Sequence, residues 1–138
     1  MKFKIIIFLF FLLSLVIVSC QDEEQLEFKR YYSLGSLIYQ TNCKNCHGTK
    51  GEGLRGLIPP LTDSIYLQSN KALLACNIKY GLNGKVNVSN KLFEGQMPPN
   101  NLANVSIAEV LTYVTNSFGN KQGTFTIQQV NDNLAKCE

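Results

Sequence analysis

The segment Cys43-Lys44-Asn45-Cys46-His47 carries three side chains that could form covalent bonds and bind a metal at the same time. Two thiols separated by two residues reach the two vinyl groups on adjacent edges of one porphyrin, where thioether bonds form. The residue that follows, His47, then lies under the iron and can donate its Nε2 to it. The spacing therefore predicts one covalently attached c-type haem, bound through Cys43, Cys46 and His47.

Two other uses of these residues fit the sequence less well. A thioredoxin-like redox site also has Cys-x-x-Cys but is expected within a βαβ unit, and no such pattern is visible. A structural zinc site needs about four Cys or His ligands, usually as two paired clusters. His47 is the single histidine of the chain, and Cys76 and Cys137 stand alone. These observations favour the haem interpretation.

The second axial ligand of the iron follows by elimination. With one histidine, the chain has no second imidazole to offer. It has two methionines, and the loss of Met1 with the leader described below leaves Met97. Met97 lies in the irregular segment Gly95-Gln96-Met97-Pro98-Pro99, outside any helical stripe, so core packing explains it less well than iron ligation. A thioether ligand stabilises ferrous iron and raises the reduction potential.

The N-terminus has the pattern of an export signal. Lys2 and Lys4 precede a 14-residue run, Ile5 to Val18, that is apolar but for one serine and is shorter than the ~18 residues expected of a spanning helix. The run ends in Ile17-Val18-Ser19-Cys20, which resembles a bacterial lipobox, so we predict cleavage before Cys20 and lipidation of its thiol. An uncleaved short anchor and ordinary signal cleavage are the alternatives. All three place the domain outside the cytoplasm.

Cys76 and Cys137 remain as an even pair in an oxidising compartment, where disulfides persist. A bridge between them would close a loop of about 60 residues, worth roughly 3–4 kcal/mol in the chain-entropy description. The alternative is two buried free thiols. We predict the disulfide.

Three regions follow from these assignments: a lipoprotein signal peptide (1–19), a lipidated acidic tether (20–30) and one domain (31–138) whose last residues, 121–138, form an extension. Residues 28–138 carry 11 basic and 6 acidic side chains. A basic surface near the haem motif would suit an acidic redox partner, although a plain solvated surface explains the charge equally well. We expect no nucleic-acid binding and a monomer.

Apolar spacing predicts an all-α domain with long loops. Four helices are expected: one beginning near Phe28, then Asn70 to Tyr80, one from Ser106 to about Phe118, and Thr126 to Lys136. The third and fourth helices each begin with a capping-box pattern; the pairs are Ser106 with Glu109 and Thr126 with Gln129. In the first helix, Gly35 lies in the apolar stripe, which predicts close approach of another helix. No strand alternation is evident.

The sequence resembles class I, monohaem cytochromes c, in a lipoprotein form. The resemblance is carried by four segments: Cys43-Lys44-Asn45-Cys46-His47-Gly48, Ile58-Pro59-Pro60-Leu61, Phe93-Glu94-Gly95-Gln96-Met97-Pro98 and Tyr113-Val114-Thr115-Asn116-Ser117-Phe118-Gly119-Asn120. It implies the cytochrome c fold, three to five short helices and long loops wrapped around the haem. It also implies a helix crossing at Gly35 and Tyr39 against Val110 and Tyr113.

The resemblance further implies that a proline carbonyl accepts a hydrogen bond from Nδ1 of the axial histidine. Pro59 and Pro60 both match, and Pro60 is favoured. The sequence departs from the family in its acylated tether, its extension and its Cys76–Cys137 pair. We expect the extension to fold back onto the helix that contains Cys76.

A six-coordinate haem leaves no position for a substrate, so the sequence predicts an electron carrier and not an enzyme. Its partners would be a dehydrogenase or quinol-oxidising complex on one side and a terminal oxidase or reductase on the other. Two alternatives remain: an electron-input subunit of a larger complex, and a haem enzyme or gas sensor in which Met97 is labile. The residue after Cys20 is Gln21, not the aspartate that often retains lipoproteins at the inner membrane. This favours the outer membrane, with the domain facing the periplasm or cell exterior.

Overall fold

The computed structural model describes residues 2–137, except for the side chains of residues 2, 9 and 12–22. This part of the chain is mostly helical, with one small antiparallel hairpin, which confirms the predicted all-α class. The elements are α1 (Lys2–Asn42), α2 (Lys44–His47), α3 (Ser64–Ser69), α4 (Lys71–Tyr80), β1 (Val86–Val88), β2 (Lys91–Phe93), α5 (Asn104–Val114) and α6 (Ile127–Leu134).

The C-terminal half of α1 crosses α5, and Gly35 lies at the crossing point. A Cβ atom added to Gly35 would overlap the backbone carbonyl of Glu109 and would lie 2.9 Å from the Cβ of Tyr113. Only a residue without a side chain allows this approach. The predicted close contact at Gly35 is therefore confirmed, and its partner is α5.

Aromatic rings fill the space beside this crossing. The ring centroids of Tyr39 and Tyr113 are 5.4 Å apart, and those of Tyr39 and Phe118 are 5.3 Å apart. Tyr32 packs on Tyr113 from the other side, at 5.1 Å. Rings at these separations and tilted angles gain stability beyond their buried area. The implied contact of Gly35 and Tyr39 with Val110 and Tyr113 matches this arrangement, and Val110 is fully buried.

Helix α1 is longer than the sequence predicts. Residues 20–30, for which we expected a tether, are helical and continue without a break into the domain. The Glu, Gln and Leu side chains of this stretch are good helix formers, which explains the continuity. The predicted lipidation site, the Cys20 side chain, lies outside the described residues. Within the part of the chain that the structure describes, no helix has the combined length and hydropathy of a membrane span.

The hairpin was not predicted. Its two strands pair Val86 with Phe93 and Val88 with Lys91. Ser89 and Asn90 form a two-residue turn with φ of 52° and 60°, as a type I′ turn requires. Strands of three residues are too short to show an alternating pattern, so the sequence contains little evidence for them.

Helix α5 begins two residues earlier than predicted, at Asn104. Its N-cap is Ala103, and no side chain caps the helix, so the expected capping box of Ser106 and Glu109 is wrong. Ser106 already lies inside the first turn. The helix also ends earlier, at Val114, and the chain turns away before Phe118, whose φ is +58°.

The extension folds back onto α4, as predicted, and also packs on α5. Thr126 caps α6, and Thr126 and Gln129 form the predicted capping box. Cys76 on α4 and Cys137 form a disulfide, with Cα atoms 5.8 Å apart. Phe125 and Val130 are fully buried against the domain. The extension is therefore part of the hydrophobic core.

Candidate haem-binding site

The motif residues begin directly where α1 ends. The backbone N–H of Cys43 still donates to the carbonyl of Tyr39, at 3.0 Å. The N–H groups of Cys46 and His47 then donate to the carbonyl of Cys43, at 3.1 and 2.9 Å. Because these bonds close one helical turn, Cys43 and Cys46 lie on the same side of the chain. Tyr39 also fixes the exit from the motif, since its hydroxyl donates to the carbonyl of Gly48 at 2.6 Å.

The imidazole of His47 is oriented by Pro59, not by Pro60 as we favoured. Nδ1 lies 3.3 Å from the carbonyl oxygen of Pro59. A carbonyl can only accept, so Nδ1 carries the proton and Nε2 is left with a free lone pair. Burial lowers the pKa of His47, and the hydrogen bond to Pro59 opposes this shift. The contact with Pro59 therefore fixes the orientation of the ring and directs Nε2 toward the cleft, as a metal-binding histidine requires.

Two glycines shape the loop that brings Pro59 to the histidine. Gly51 accepts a hydrogen bond from Leu61 at 2.8 Å, and Gly53 donates to the carbonyl of His47 at 2.9 Å. Gly53 has φ of +67°, and a Cβ atom there would lie 2.9 Å from the carbonyl oxygen of Pro59. The loop conformation thus decides which proline faces His47. It depends on left-handed glycines that a spacing argument does not resolve.

A different set of contacts fixes the backbone around Met97. It pairs with Leu82 as an isolated antiparallel bridge: Leu82 N–H donates to the Met97 carbonyl at 2.9 Å, and Met97 N–H donates to the Leu82 carbonyl at 3.0 Å. Two residues earlier, Gly95 donates to the carbonyl of Leu57 at 2.9 Å. A side chain at Gly95 would overlap that carbonyl.

His47 and Met97 line the same cleft, together with Cys43. Apolar side chains from four parts of the chain form its walls; they include Leu61, Leu74, Ile78, Leu82, Leu111 and Val114. Cys46, His47 and Met97 also line a cavity that adjoins this cleft. A hydrophobic cleft with two thiols, one imidazole nitrogen and one thioether fits the chemistry of a haem c site. The structure thus brings together every residue predicted for the site except Pro60.

The two cysteines differ in exposure. Cys43 is half-buried, and Cys46 is exposed. Burial first, and the neighbouring Cys46 second, raise the pKa of the Cys43 thiol to about 11. The Cys46 thiol is therefore the more accessible of the two to solvent.

Sequence reasoning missed the walls of the cleft. Leu74 and Ile78 lie on α4, a helix that the sequence predicts, but which of its faces lines the site depends on tertiary packing. Tyr66 and Asn77 are polar residues in the same lining. Burial raises the pKa of the Tyr66 phenol. The apolar stripe of the predicted helices was the one signal that could have found Leu74 and Leu111.

A helical domain with this site belongs to the class of proteins that carry electrons on a covalently bound haem. The family model described as Cytochrome c matches residues 32–117, more than half of the chain. The chain therefore belongs to the cytochrome c family. Comparison with curated proteins found no match.

Membership of this family implies a covalent c-type haem, electron transfer and redox protein partners in general; such domains are typically exported. The match ends three residues before Asn120 and leaves the extension, including α6 and Cys137, outside it.

Proposed function

We propose that this protein is a monohaem class I cytochrome c, with thioether bonds at Cys43 and Cys46 and axial ligands from His47 and Met97. The observation that carries the proposal is that Met97, far in sequence from the Cys43–His47 motif, lines with the motif residues one apolar cleft and the cavity that adjoins it. The chain has one His and one Met in that cleft, so it offers one ligand of each kind.

The chain's own residues prepare this site for electron transfer. When bound, the haem supplies a one-electron iron couple. The Pro59 carbonyl accepts a hydrogen bond from Nδ1–H of His47 and so directs Nε2 away from the loop. The antiparallel backbone bridge with Leu82 fixes the backbone of Met97. Two protein ligands leave no open iron position, which supports an electron carrier over an enzyme.

The surface around Cys46 is where we expect electrons to enter and leave. Cys46 is exposed there, and Leu54 and Leu57 nearby are each 53 % exposed. Lys50 and Arg55 are exposed in the same loop. A small, partly apolar surface with basic residues supports brief docking of acidic redox partners. We propose a dehydrogenase or quinol-oxidising complex as donor and a terminal oxidase or reductase as acceptor.

We also propose that residues 1–19 are removed and that Cys20 is lipidated, which would tether the domain (31–138) to a bacterial membrane, the outer one being favoured. The exposure of apolar side chains in the first turns of α1 supports a leader that is not part of the core; Phe3, Ile6 and Phe10 are examples. Mass spectrometry of the mature protein tests this: a diacylated N-terminal cysteine is expected, and an intact leader would contradict it.

The axial ligation is tested by Met97→Ala in the holoprotein. The ferric wild-type protein should show the far-red absorption band that arises from sulfur–iron charge transfer, and Met97→Ala should lose it. The variant should also have a lower reduction potential and should bind carbon monoxide rapidly when reduced, because it lacks a ligand.

Gln96→Ala is the matched control, because Gln96 precedes Met97 and also lines the cleft. It should keep the band. An unchanged spectrum in Met97→Ala would refute the ligand assignment, and rapid carbon monoxide binding by the wild-type protein would favour a gas sensor.

A further inference from the structure

Helix α4 has two functionally different sides. Leu74 and Ile78 face the haem cleft. Cys76, between them in sequence, forms the disulfide with Cys137 and lies beside a surface groove lined by Leu73 and Tyr80. The same short helix therefore connects the extension to the wall of the site.

The segment that carries Met97 is attached to the C-terminal end of α4. Asn100 N–H donates to the carbonyl of Ile78 at 2.9 Å, and the Lys79 ammonium donates to the carbonyl of Leu102 at 2.9 Å. Gly81, the C-cap of α4, approaches Met97 so closely that a Cβ atom there would lie 2.5 Å from the Met97 carbonyl oxygen. With the bridge to Leu82, these contacts make the position of Met97 depend on the position of α4.

Helix α4 in turn depends on the extension. It has ten residues and no side-chain cap at Asn70, so it is too short to be stable without packing. The extension supplies that packing through the disulfide, through a hydrogen bond from the Asn133 amide to the Lys71 carbonyl at 3.4 Å, and through Phe125, whose ring lies 5.2 Å from the Lys71 ammonium.

The anchors of His47 do not involve α4. They are the backbone bonds to Cys43 and Gly53 and the ring contact with Pro59. A change in α4 should therefore act on Met97 and leave His47 in place.

We propose that the Cys76–Cys137 cross-link is a positioning element for Met97: by holding α4 against α6 it keeps the thioether in place on the iron. This rests on the proposed function, because it requires Met97 to be an axial ligand. The extension, which the family match does not include, then controls how readily the iron exchanges Met97 for another ligand.

The test compares the wild-type holoprotein with the double variant Cys76→Ser/Cys137→Ser. Two quantities are followed during urea unfolding: the sulfur–iron band, which reports Met97, and far-UV circular dichroism, which reports global unfolding. In the wild-type protein the two midpoints should coincide. In the double variant the band should be present without urea but should disappear at a lower urea concentration than the helical signal. Ferric double variant should bind cyanide about tenfold faster, the change expected when displacement of Met97 becomes easier by about 1.4 kcal/mol.

Thr126→Ala is the matched control. It removes the cap of α6 and destabilises the extension while the cross-link stays intact. Its two midpoints should fall together, and its cyanide binding should stay within twofold of the wild-type rate, a margin set by about 0.4 kcal/mol.

Two outcomes would overturn the proposal. One is a double variant whose band and helical signal are lost together with an unchanged cyanide rate, which would make the disulfide a purely global stabiliser. If the double variant does not fold, the folded wild-type holoprotein, kept ferrous with ascorbate, replaces it and is treated with a phosphine that reduces the Cys76–Cys137 disulfide. Carbon monoxide should then bind faster than in the untreated ferrous protein, and equal rates would refute the proposal. Absence of the band from the wild-type protein would instead refute the proposed function itself.

Discussion

The two sides of the haem cleft are built differently. On the His47 side, the bonds that fix the residue come from Cys43, Gly53 and Pro59, all within 12 residues of it. On the Met97 side, the residue is fixed by Leu82 and by α4, and α4 is joined to Cys137 across a sequence separation of 61. His47 is positioned by its own neighbourhood in the sequence, and Met97 by the assembled fold.

This difference determines which side of the cleft we expect to open first. Local contacts re-form with little loss of chain entropy, whereas contacts across long loops require the ends of those loops to meet. Proteins open locally where few contacts hold a segment. We therefore expect the Met97 side to open before the His47 side once the Cys76–Cys137 cross-link is removed.

The largest effect on stability is expected at the crossing of α1 and α5. Gly35→Val places a branched side chain against the Glu109 carbonyl in the α1–α5 crossing and should lower the free energy of unfolding by about 3 kcal/mol. Urea unfolding followed by circular dichroism measures it. Ser33→Val, at an exposed position of α1, is the control and should be nearly neutral. A loss in Gly35→Val no larger than in Ser33→Val would show that the crossing is not tightly packed.

A smaller effect should be confined to the His47 side. Gly53→Ala introduces a Cβ atom into the left-handed region and against the Pro59 carbonyl, and should cost about 2 kcal/mol. Gly56→Ala has the same kind of backbone, with φ of +71°, but meets no atom within 4 Å, so it should cost only about 1 kcal/mol. Gly53→Ala should also change the reduction potential, because it displaces the Pro59 carbonyl that accepts the hydrogen bond from His47. If both variants have the wild-type potential, Pro59 does not tune the ligand.

The smallest effect concerns a link between α3 and the hairpin, outside both sides of the cleft. Asp63 caps α3 through Tyr66 N–H at 2.9 Å and accepts from the Ser89 hydroxyl of the hairpin at 2.7 Å. These bonds, the one from Ser89 first, lower the pKa of Asp63. A lowered pKa means that the stabilisation is present above about pH 4, the usual aspartate value, and is lost as the pH falls through the lower folded-state value.

Asp63→Ala should therefore lower the free energy of unfolding by about 1 kcal/mol at pH 7, and its difference from the wild-type value should vanish in acid. Unfolding measured across pH 2–7 gives the profile. Ser89→Ala removes one of the two bonds and should cost less. A difference that persists unchanged at the acid end would mean that the Asp63 carboxylate charge is not involved.

Much of the His47 side could be predicted from the sequence, because its chemistry lies in consecutive residues. Met97 and the Cys76–Cys137 pair could also be predicted, since elimination among few candidates does not need geometry. The choice between Pro59 and Pro60 could not, because it depends on left-handed glycines and on the hydrogen bond between Leu61 and Gly51. The hairpin was missed because three-residue strands have no period to detect.

The start of α5 was missed for a related reason. Ser106 and Glu109 have the spacing of a capping box, but tertiary packing begins the helix at Asn104, whose amide bonds the Asn131 side chain of α6 at 2.8 Å. A local signal was overridden by a contact with the extension, whose position is a property of the whole fold.

The tyrosines at the helix crossing have a practical consequence. The chain has no tryptophan, and three of its six tyrosines, Tyr32, Tyr39 and Tyr113, have rings packed together around Gly35. Ring pairs fixed at such distances give a near-ultraviolet dichroic signal that vanishes when the rings become free to rotate. This intrinsic chromophore reports the docking of one helix on another in the apoprotein, before any porphyrin absorbance is present to follow.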